Sequence, residues 1–459
     1  VLLIISASTL EEKNINKNQQ VQVITYPDSL GGNLQILKRV LDTNFKNAIN
    51  GVHILPFYPS SGDRGFAPLT HRQIDPHFGT EEDIKNIGKD YEIMADLIVN
   101  HVSVESKYFQ DYLKNGERSK YRNFFIQARN FSRHWYRKPK TKMGDILYSA
   151  FGKVSTFFRN IDFIFHKHGV NKRILKNIYR PRPGSPFVKF KRKDGKYRYL
   201  WCTFSPEQVD LNIKSQAVRR KLKRDTKFLQ DLGINYLRLD AVAYVAKKRG
   251  CNSFLIPESI LFIKWLSKHA HEYDLKVIPE IHFHYDAQLT LSSVREVDYV
   301  YDFSLPLLLL HAIYNKNSRH LKNWLELRPD NSISNLDTHD GIGVIDVEDL
   351  LPQKEVETTI ENIYKYGGNA IKRASGKNSN NVDTYQINCT YYSALAANDQ
   401  NYLLARALQL FLPGVVQIYY VGLLAGENDE ELLQKTAIGR DINRNKYTDK
   451  EMKQQSQKS

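Results

Sequence analysis

Eight short runs of β-branched and aliphatic residues, mostly separated by stretches of helical periodicity, constrain this chain more than any other feature. They are Val21 to Thr25, Gly51 to Leu55, Ile93 to Val99, Ile234 to Leu239, Lys276 to Ile278, Val297 to Tyr301, Ile333 to Leu336 and Val415 to Tyr420. Strands of this length that alternate with helices predict an α/β fold on a parallel sheet, and eight of them predict a closed (β/α)8 TIM barrel. Leu34 to Leu41 and Val218 to Leu232 carry apolar residues at helical spacing, and Gly233 stands where a helix would stop before the next strand.

Several runs end in titratable residues. Asn100-His101 follows Ile98-Val99, Asp240 follows Leu237-Arg238-Leu239, Glu280 follows Val277-Ile278-Pro279, and Asp337-Thr338-His339-Asp340 follows Asn335-Leu336. In a βα barrel the C-terminal ends of the strands form the face that carries chemistry. Two stretches break the alternation, after the third and the seventh strand, and both overhang that face. The expected organisation is a polar leader over 1–20, a first part of the barrel over 21–102, an inserted basic subdomain over 103–212, a second part over 213–341, a second inserted subdomain over 342–398 and a last part over 399–459. The tail from Asn445 to Ser459 is rich in Lys and Gln, with almost no apolar residues. It predicts no packed final helix, so the last barrel helix reads as missing.

The 459 residues are 41% hydrophobic and carry 66 Lys and Arg against 50 Asp and Glu, a net charge of +16. That composition is globular and excludes a disordered or fibrous chain. Residues 114 to 200 hold 24 basic and 4 acidic side chains, a local +20, so the rest of the chain sums to −4. A basic stripe with aromatics, such as His134-Trp135-Tyr136-Arg137-Lys138, suits nucleic acid. No groove-reading or stacking motif accompanies it, so a solvated face that attracts small anions is preferred and no nucleic-acid partner is expected. No run approaches the roughly 20 apolar residues that span a bilayer, so no membrane partner is expected either. Cys202, Cys251 and Cys389 are odd in number and lack C-x-x-C spacing, which reads as free thiols in a reducing compartment. The Val1 to Ile5 run is too short for a signal-peptide core, and the expected location is cytoplasmic.

Asp240, Glu280 and Asp340 are predicted to project from three strand ends into one mouth. Three carboxyl groups without a metal suit glycosyl transfer, in which a retaining enzyme pairs a nucleophilic carboxylate with a second carboxyl that serves as acid and then as base. Arg238 lies two residues before Asp240, on the same face of its strand. Its cation is expected to keep Asp240 ionised, while burial of Glu280 raises its pKa and keeps it protonated. His101 and His339 are candidates to donate to sugar hydroxyls, and Phe66 or Tyr244 to stack on a sugar face. Asp96 with Asn100 could form a calcium ligand set, but hydrogen bonding inside the barrel is preferred. No metal or cofactor is expected.

Four stretches, Asp96-Leu97-Ile98-Val99-Asn100-His101, Leu237-Arg238-Leu239-Asp240-Ala241-Val242, Ile278-Pro279-Glu280-Ile281-His282 and Leu336-Asp337-Thr338-His339-Asp340, occur in the order found in the α-amylase family of retaining glycosidases and transglucosidases, which the chain resembles. The resemblance implies that Asp240 is the nucleophile, Glu280 the acid/base and Asp340 the transition-state stabiliser, with His101, Arg238 and His339 in the glucosyl subsite. Further stretches resemble the sucrose-phosphorylase branch of that family: Val23 to Asp28, His53 to Phe57, Ile178-Tyr179-Arg180-Pro181-Arg182-Pro183-Gly184, Thr338 to Asp346 and Gly439-Arg440-Asp441-Ile442-Asn443-Arg444. That branch implies transfer of glucosyl from sucrose to inorganic phosphate, with α-glucose 1-phosphate and fructose as products. Tyr179 and Arg182 would lie on one acceptor loop, and Asp383, Tyr385 and Gln386 on or beside another. Asp63 and Phe66 match the region that holds the glucosyl unit, and Arg440 a further sugar contact. The branch's C-terminal β domain reads as missing from this sequence, and a homodimer is compatible with the resemblance. Alternatives are a phosphorylase for sucrose 6-phosphate or glucosylglycerate, an α-glucosidase or transglucosidase, and an inactive barrel that binds carbohydrate or polyanions. Arg182 with Tyr385 favours plain sucrose.

Overall fold

The computed structural model describes residues 20–46, 48–128, 170, 175, 177–180, 184–368 and 386–456. All eight runs form strands: β1 (Val21–Thr25), β2 (Gly51–Ile54), β3 (Glu92–Ile98), β4 (Tyr236–Asp240), β5 (Lys276–Pro279), β6 (Val300–Asp302), β7 (Ser332–Ser334) and β8 (Val415–Tyr419). They make one parallel sheet in the order β6-β7-β8-β1-β2-β3-β4-β5. The two ends of that order meet. The Asp298 N–H donates to the Val277 carbonyl at 3.2 Å and the Val277 N–H to the Asp298 carboxylate at 2.7 Å, which closes β5 onto β6. The fold is a (β/α)8 barrel with insertions after β3 and β7.

Helices α1 (Leu34–Val40), α2 (Glu81–Gly88), α3 (Gln216–Asp231), α4 (Pro257–His271), α5 (Asp286–Ser292), α6 (Leu305–Asn315) and α7 (Asp399–Leu410) follow the first seven strands. Local sequence sets their ends. The Asn33 side chain accepts from the Ile36 N–H, and Thr80 and Asp83 form a reciprocal capping box at the start of α2. Gly233 takes φ +86°, the left-handed conformation that ends α3 as its position in the sequence suggests. Strand alternation sorts the barrel's two sides. Met94, Tyr236, Ile278, Tyr301, Ile333 and Val415 pack together inside the barrel. Asp96 and Arg238 stand two residues further along their strands, and Glu280 two residues beyond Ile278, just past the end of β5.

The tail departs from expectation. An eighth helix, α8 (Asp449–Ser456), forms within it, buries Met452 in the main core, and its Asp449 pairs with Arg39 of α1 at 2.8 Å. Among the helix's described side chains Met452 is the buried apolar one, a pattern too sparse to stand out from the polar residues around it. Cys202 and Cys389 are buried, Cys251 is half-buried, and all three are free. No helix among the described residues is long and apolar enough to cross a membrane.

Candidate active site

Arg238 organises one side of the barrel mouth. Its Nη1 donates to Asp96 and, at 3.2 Å, to Asp240 Oδ1, while Nη2 lies 3.7 Å from Glu280 Oε1. Ala241 takes φ +53°, a strained conformation for a residue with a Cβ. This sharp turn after Asp240 aims the Ala241 N–H at Glu280 Oε2, 2.9 Å away. One guanidinium thus touches three carboxylates carried by β3, by β4 and by the residue after β5. Burial alone would raise Asp96, but Arg238 and the His53 ring, 2.9 Å from it, hold it down to about 2. Asp240 goes the other way. Burial pushes its carboxyl well above the usual range, and Glu280 adds to the rise against the pull of Arg238. Arg238 opposes that rise, as the sequence suggests, but it stands in register with Asp96 across the β3–β4 ladder, so Asp240 shares its charge with Asp96 and Glu280.

Asp340, in the loop after β7, has its own cations. Arg440 Nη1 lies 2.9 Å from its Oδ1 in an ion pair, and His339 Nε2 lies 3.8 Å from Oδ2. Although burial would raise Asp340, Arg440, His339, His282 and Arg444 hold it well below the ordinary carboxylate range. The loop's main chain is gripped from the far end of the sequence. Asn443 Nδ2 donates to the carbonyls of Thr338 at 3.1 Å and Asp340 at 2.8 Å, and Arg444 Nε donates to the His339 carbonyl at 3.0 Å.

The remaining candidates gather around these groups. The Phe66 and His339 rings stack with centroids 5.0 Å apart and planes 2° from parallel, and the Arg238 guanidinium lies 5.9 Å from the Phe66 ring. His101 donates from Nε2 to the Phe66 carbonyl at 2.8 Å, and its Nδ1 lies 3.3 Å from Asn100 Nδ2, so the protein engages both ring nitrogens. Burial lowers the pKa of both His101 and His339. Asp63 and Arg64 both adopt left-handed backbone, and Asp63 adds to the field felt by Arg440 and Arg444. Tyr244 belongs to an aromatic wall, 5.2 Å from Phe204, 4.9 Å from Phe254 and 6.2 Å from Tyr179 between ring centroids. Burial pushes the Tyr179 phenol up to about 12. Gln386 pairs with Gly343 in a short antiparallel ribbon beside the Asp340 loop. Arg182, Asp383 and Tyr385 lie outside the described residues.

Sequence reasoning missed a buried network beneath this site. Lys247 Nζ donates to Asn100 Oδ1 at 2.6 Å and pairs with Asp210, which also accepts from Asn100 at 3.1 Å and from the Thr203 N–H at 2.8 Å. An ammonium thus occupies the polar space around Asn100, joining the insertion to the barrel. The signal was a Lys in a mostly apolar stretch seven residues after Asp240. Among the described residues, Glu280, His282 and Asp340 offer ligand atoms within 4.8 Å of one another. Arg238 and Arg440 already lie against two of the three, so a cation would enter a site whose negative charge has partners.

Residues 25–293 match the family described as alpha amylase, catalytic domain. The chain is 38% identical to the sucrose phosphorylase of Streptococcus mutans over 95% of its own length and 83% of that protein. It is 39% identical to the glucosylglycerol phosphorylase of Marinobacter adhaerens over 95% and 84%. The crystal structure of sucrose 6F-phosphate phosphorylase from Thermoanaerobacter thermosaccharolyticum superposes with a TM-score of 0.84 at 38% identity, covering 98% of this chain and 85% of that one. The chain belongs to the α-amylase family and, within it, to the sucrose-phosphorylase group of glycosyltransferases. Its relatives share the reaction type and differ in the glucoside named.

Proposed function

We propose that this enzyme transfers glucosyl from sucrose to inorganic phosphate with retention. The observation that carries this is the meeting of Asp240, Glu280 and Asp340 at one mouth, with Arg238 against the first two and Arg440 against the third. The Asp240 carboxylate attacks the anomeric carbon, the bond to the fructosyl oxygen breaks, and Glu280 gives that oxygen its proton. A phosphate oxygen then attacks the same carbon, the ester to Asp240 breaks, and Glu280 takes up the phosphate's proton. Asp340, held ionised, faces the positive charge that develops on the sugar. Phe66, His339, Asp63 and Arg440 hold the glucosyl unit, and His101 fixes the main chain of Phe66 beside them. Tyr179, Arg182, Tyr244, Asp383, Tyr385 and Gln386 serve the fructose and phosphate side, where the fork of Arg182 suits phosphate oxygens.

The test incubates the protein with sucrose, with and without inorganic phosphate, and follows glucose 1-phosphate and free glucose separately. Phosphate-dependent glucose 1-phosphate is expected. Free glucose alone would make the enzyme a hydrolase. A second reading, sucrose 6-phosphate as donor, is favoured by the structural match at TM-score 0.84. Faster phosphorolysis of sucrose 6-phosphate than of sucrose would establish it.

A further inference from the structure

Asp346 lies six residues beyond Asp340, is buried, and has no part in the reaction described above. Its carboxylate reaches the site through His282. Oδ1 accepts from the Phe283 N–H at 3.2 Å, and Oδ2 faces His282 Nδ1 at 3.5 Å. The other ring nitrogen, Nε2, lies 3.6 Å from Glu280 Oε1. The imidazole cannot swing away from this line. It stacks on Phe303 with centroids 3.7 Å apart, and Phe303 stacks in turn on Tyr301 of β6 at 4.8 Å. The turn that delivers Asp346 is built around this contact. A Cβ on Gly343 would fall 2.2 Å from Asp346 Oδ2, so only glycine leaves room for the carboxylate, and the Ser304 hydroxyl fastens the Asp346 carbonyl at 2.6 Å.

We propose that Asp346 and His282 are positioning residues for Glu280, an aspartate–imidazolium pair that holds the acid/base carboxyl in line with the glycosidic oxygen. The proposal rests on the reading of Glu280 as the acid/base. Ionised Asp346 favours the doubly protonated ring, which then presents Nε2–H to Glu280 Oε1 while the Ala241 N–H holds Oε2. Distances of 3.5 and 3.6 Å are long for hydrogen bonds, and such contacts in empty sites tighten when substrate binds. The charged groups that face the ring are Asp346, Glu280 and Asp340, with Arg238 on the far side of Glu280. The two carboxylates nearest the ring raise its pKa against the effect of burial. Asp346 also balances the cation, so Glu280 meets an oriented donor beside a neutral pair.

The experiment compares donors that differ in their need for acid. A sugar leaving group requires a proton from Glu280, whereas fluoride leaves α-glucosyl fluoride with little help. Asp346→Asn keeps the side chain's size and removes its charge. It is expected to cut phosphorolysis of the natural donor about tenfold or more, the lower part of what positioned acid catalysis supplies, while changing α-glucosyl fluoride turnover less than about threefold. The alkaline limb of kcat with the natural donor should move to lower pH, because the ring loses the anion that stabilises its proton. His282→Gln, which retains a neutral N–H donor, should keep part of the natural-donor rate and flatten that limb. Equal losses on both donors, with the limb unmoved and melting temperature unchanged, would overturn the proposal. Glu280→Gln is the reference. If it does not itself spare α-glucosyl fluoride relative to the natural donor, the acid/base reading has failed, which is a separate result.

Discussion

The two sides of the barrel mouth handle buried negative charge in opposite ways. On the β3–β5 side, Asp96, Asp240 and Glu280 share Arg238, and Asp240 is left with a proton affinity well above that of an ordinary carboxyl. On the β7 side, Asp340 has Arg440 at 2.9 Å with His339, His282 and Arg444 around it, and stays ionised. The crowded side suits a pair that must pass a proton and accept a covalent bond. The other suits a fixed negative charge that stabilises a cationic transition state and never changes form. The difference lies in how guanidinium groups are shared, since both sides are buried: one serves three carboxylates on the first side, and Arg440 and Arg444 serve Asp340 on the other.

Removing the carboxylates separates the two sides by size of effect. Asp240→Asn takes away the proposed nucleophile and is expected to lower turnover by at least about four orders of magnitude, as in other systems where a nucleophile is deleted. No covalent glucosyl adduct should then be seen by intact-protein mass spectrometry after a quench. Asp340→Asn removes electrostatic stabilisation only and is expected to cost about 10²–10³-fold in kcat, with the adduct still forming slowly. An adduct on Asp240→Asn would move the nucleophile elsewhere.

Removing the cations tests the sharing. Arg238→Met leaves Asp96, which has no solvent exposure, with the His53 ring but without its guanidinium, beside two further carboxyls. Breaking a buried pair from one side typically costs about 3–5 kcal/mol, so denaturant unfolding should shift by that order. Arg440→Met leaves Asp340 with His339, His282 and Arg444, and Arg440's side chain is 21% exposed. Its loss should lower activity far more than stability. A larger stability loss for Arg440→Met than for Arg238→Met would show that the sharing is not what holds the crowded side together.

These two sides differ also in how far the sequence discloses them. Arg238, Asp240 and Glu280 stand at strand ends within a few residues of recognisable apolar runs, and strand alternation places Arg238 and Asp240 on one face without long-range knowledge. The grip of Asn443 and Arg444 on the Asp340 loop spans 103 to 105 residues, and the Lys247 and Asp210 contacts with Asn100 span 147 and 110. Local periodicity holds no trace of such pairings. The sharing of Arg238 is hidden for a related reason: its place two residues before Asp240 is legible, but its register with Asp96 across the β3–β4 ladder is not. Helix α8 escaped notice because a single buried Met452 leaves no periodic pattern.

The smallest effect expected carries a sign that only the comparison supplies. A carboxyl raised in the folded state binds its proton more tightly there than in the unfolded chain, so stability falls as pH rises from the unfolded value toward the folded one. Asp240 is such a group, and at neutral pH its buried carboxyl disfavours the fold. Asp340 is the reverse case. Its depressed folded value contributes stability above the unfolded pKa that is lost as pH falls through the folded one, and Asp96, held at about 2, behaves likewise. At pH 7 without substrate, Asp240→Asn should therefore raise the melting temperature and Asp340→Asn should lower it. The amide in Asp240→Asn still offers an oxygen to Arg238, whereas Asp340→Asn leaves Arg440 without its anion. At a pH near 3 the Asp240→Asn shift should vanish, because Asp240 is protonated in either state, while the Asp340→Asn shift should shrink but persist, because Asp340 stays ionised in the fold down to its depressed folded value. Shifts of the same sign at pH 7 would mean that both carboxyls are paired alike, and the contrast between one shared cation and a dedicated set would not govern this site.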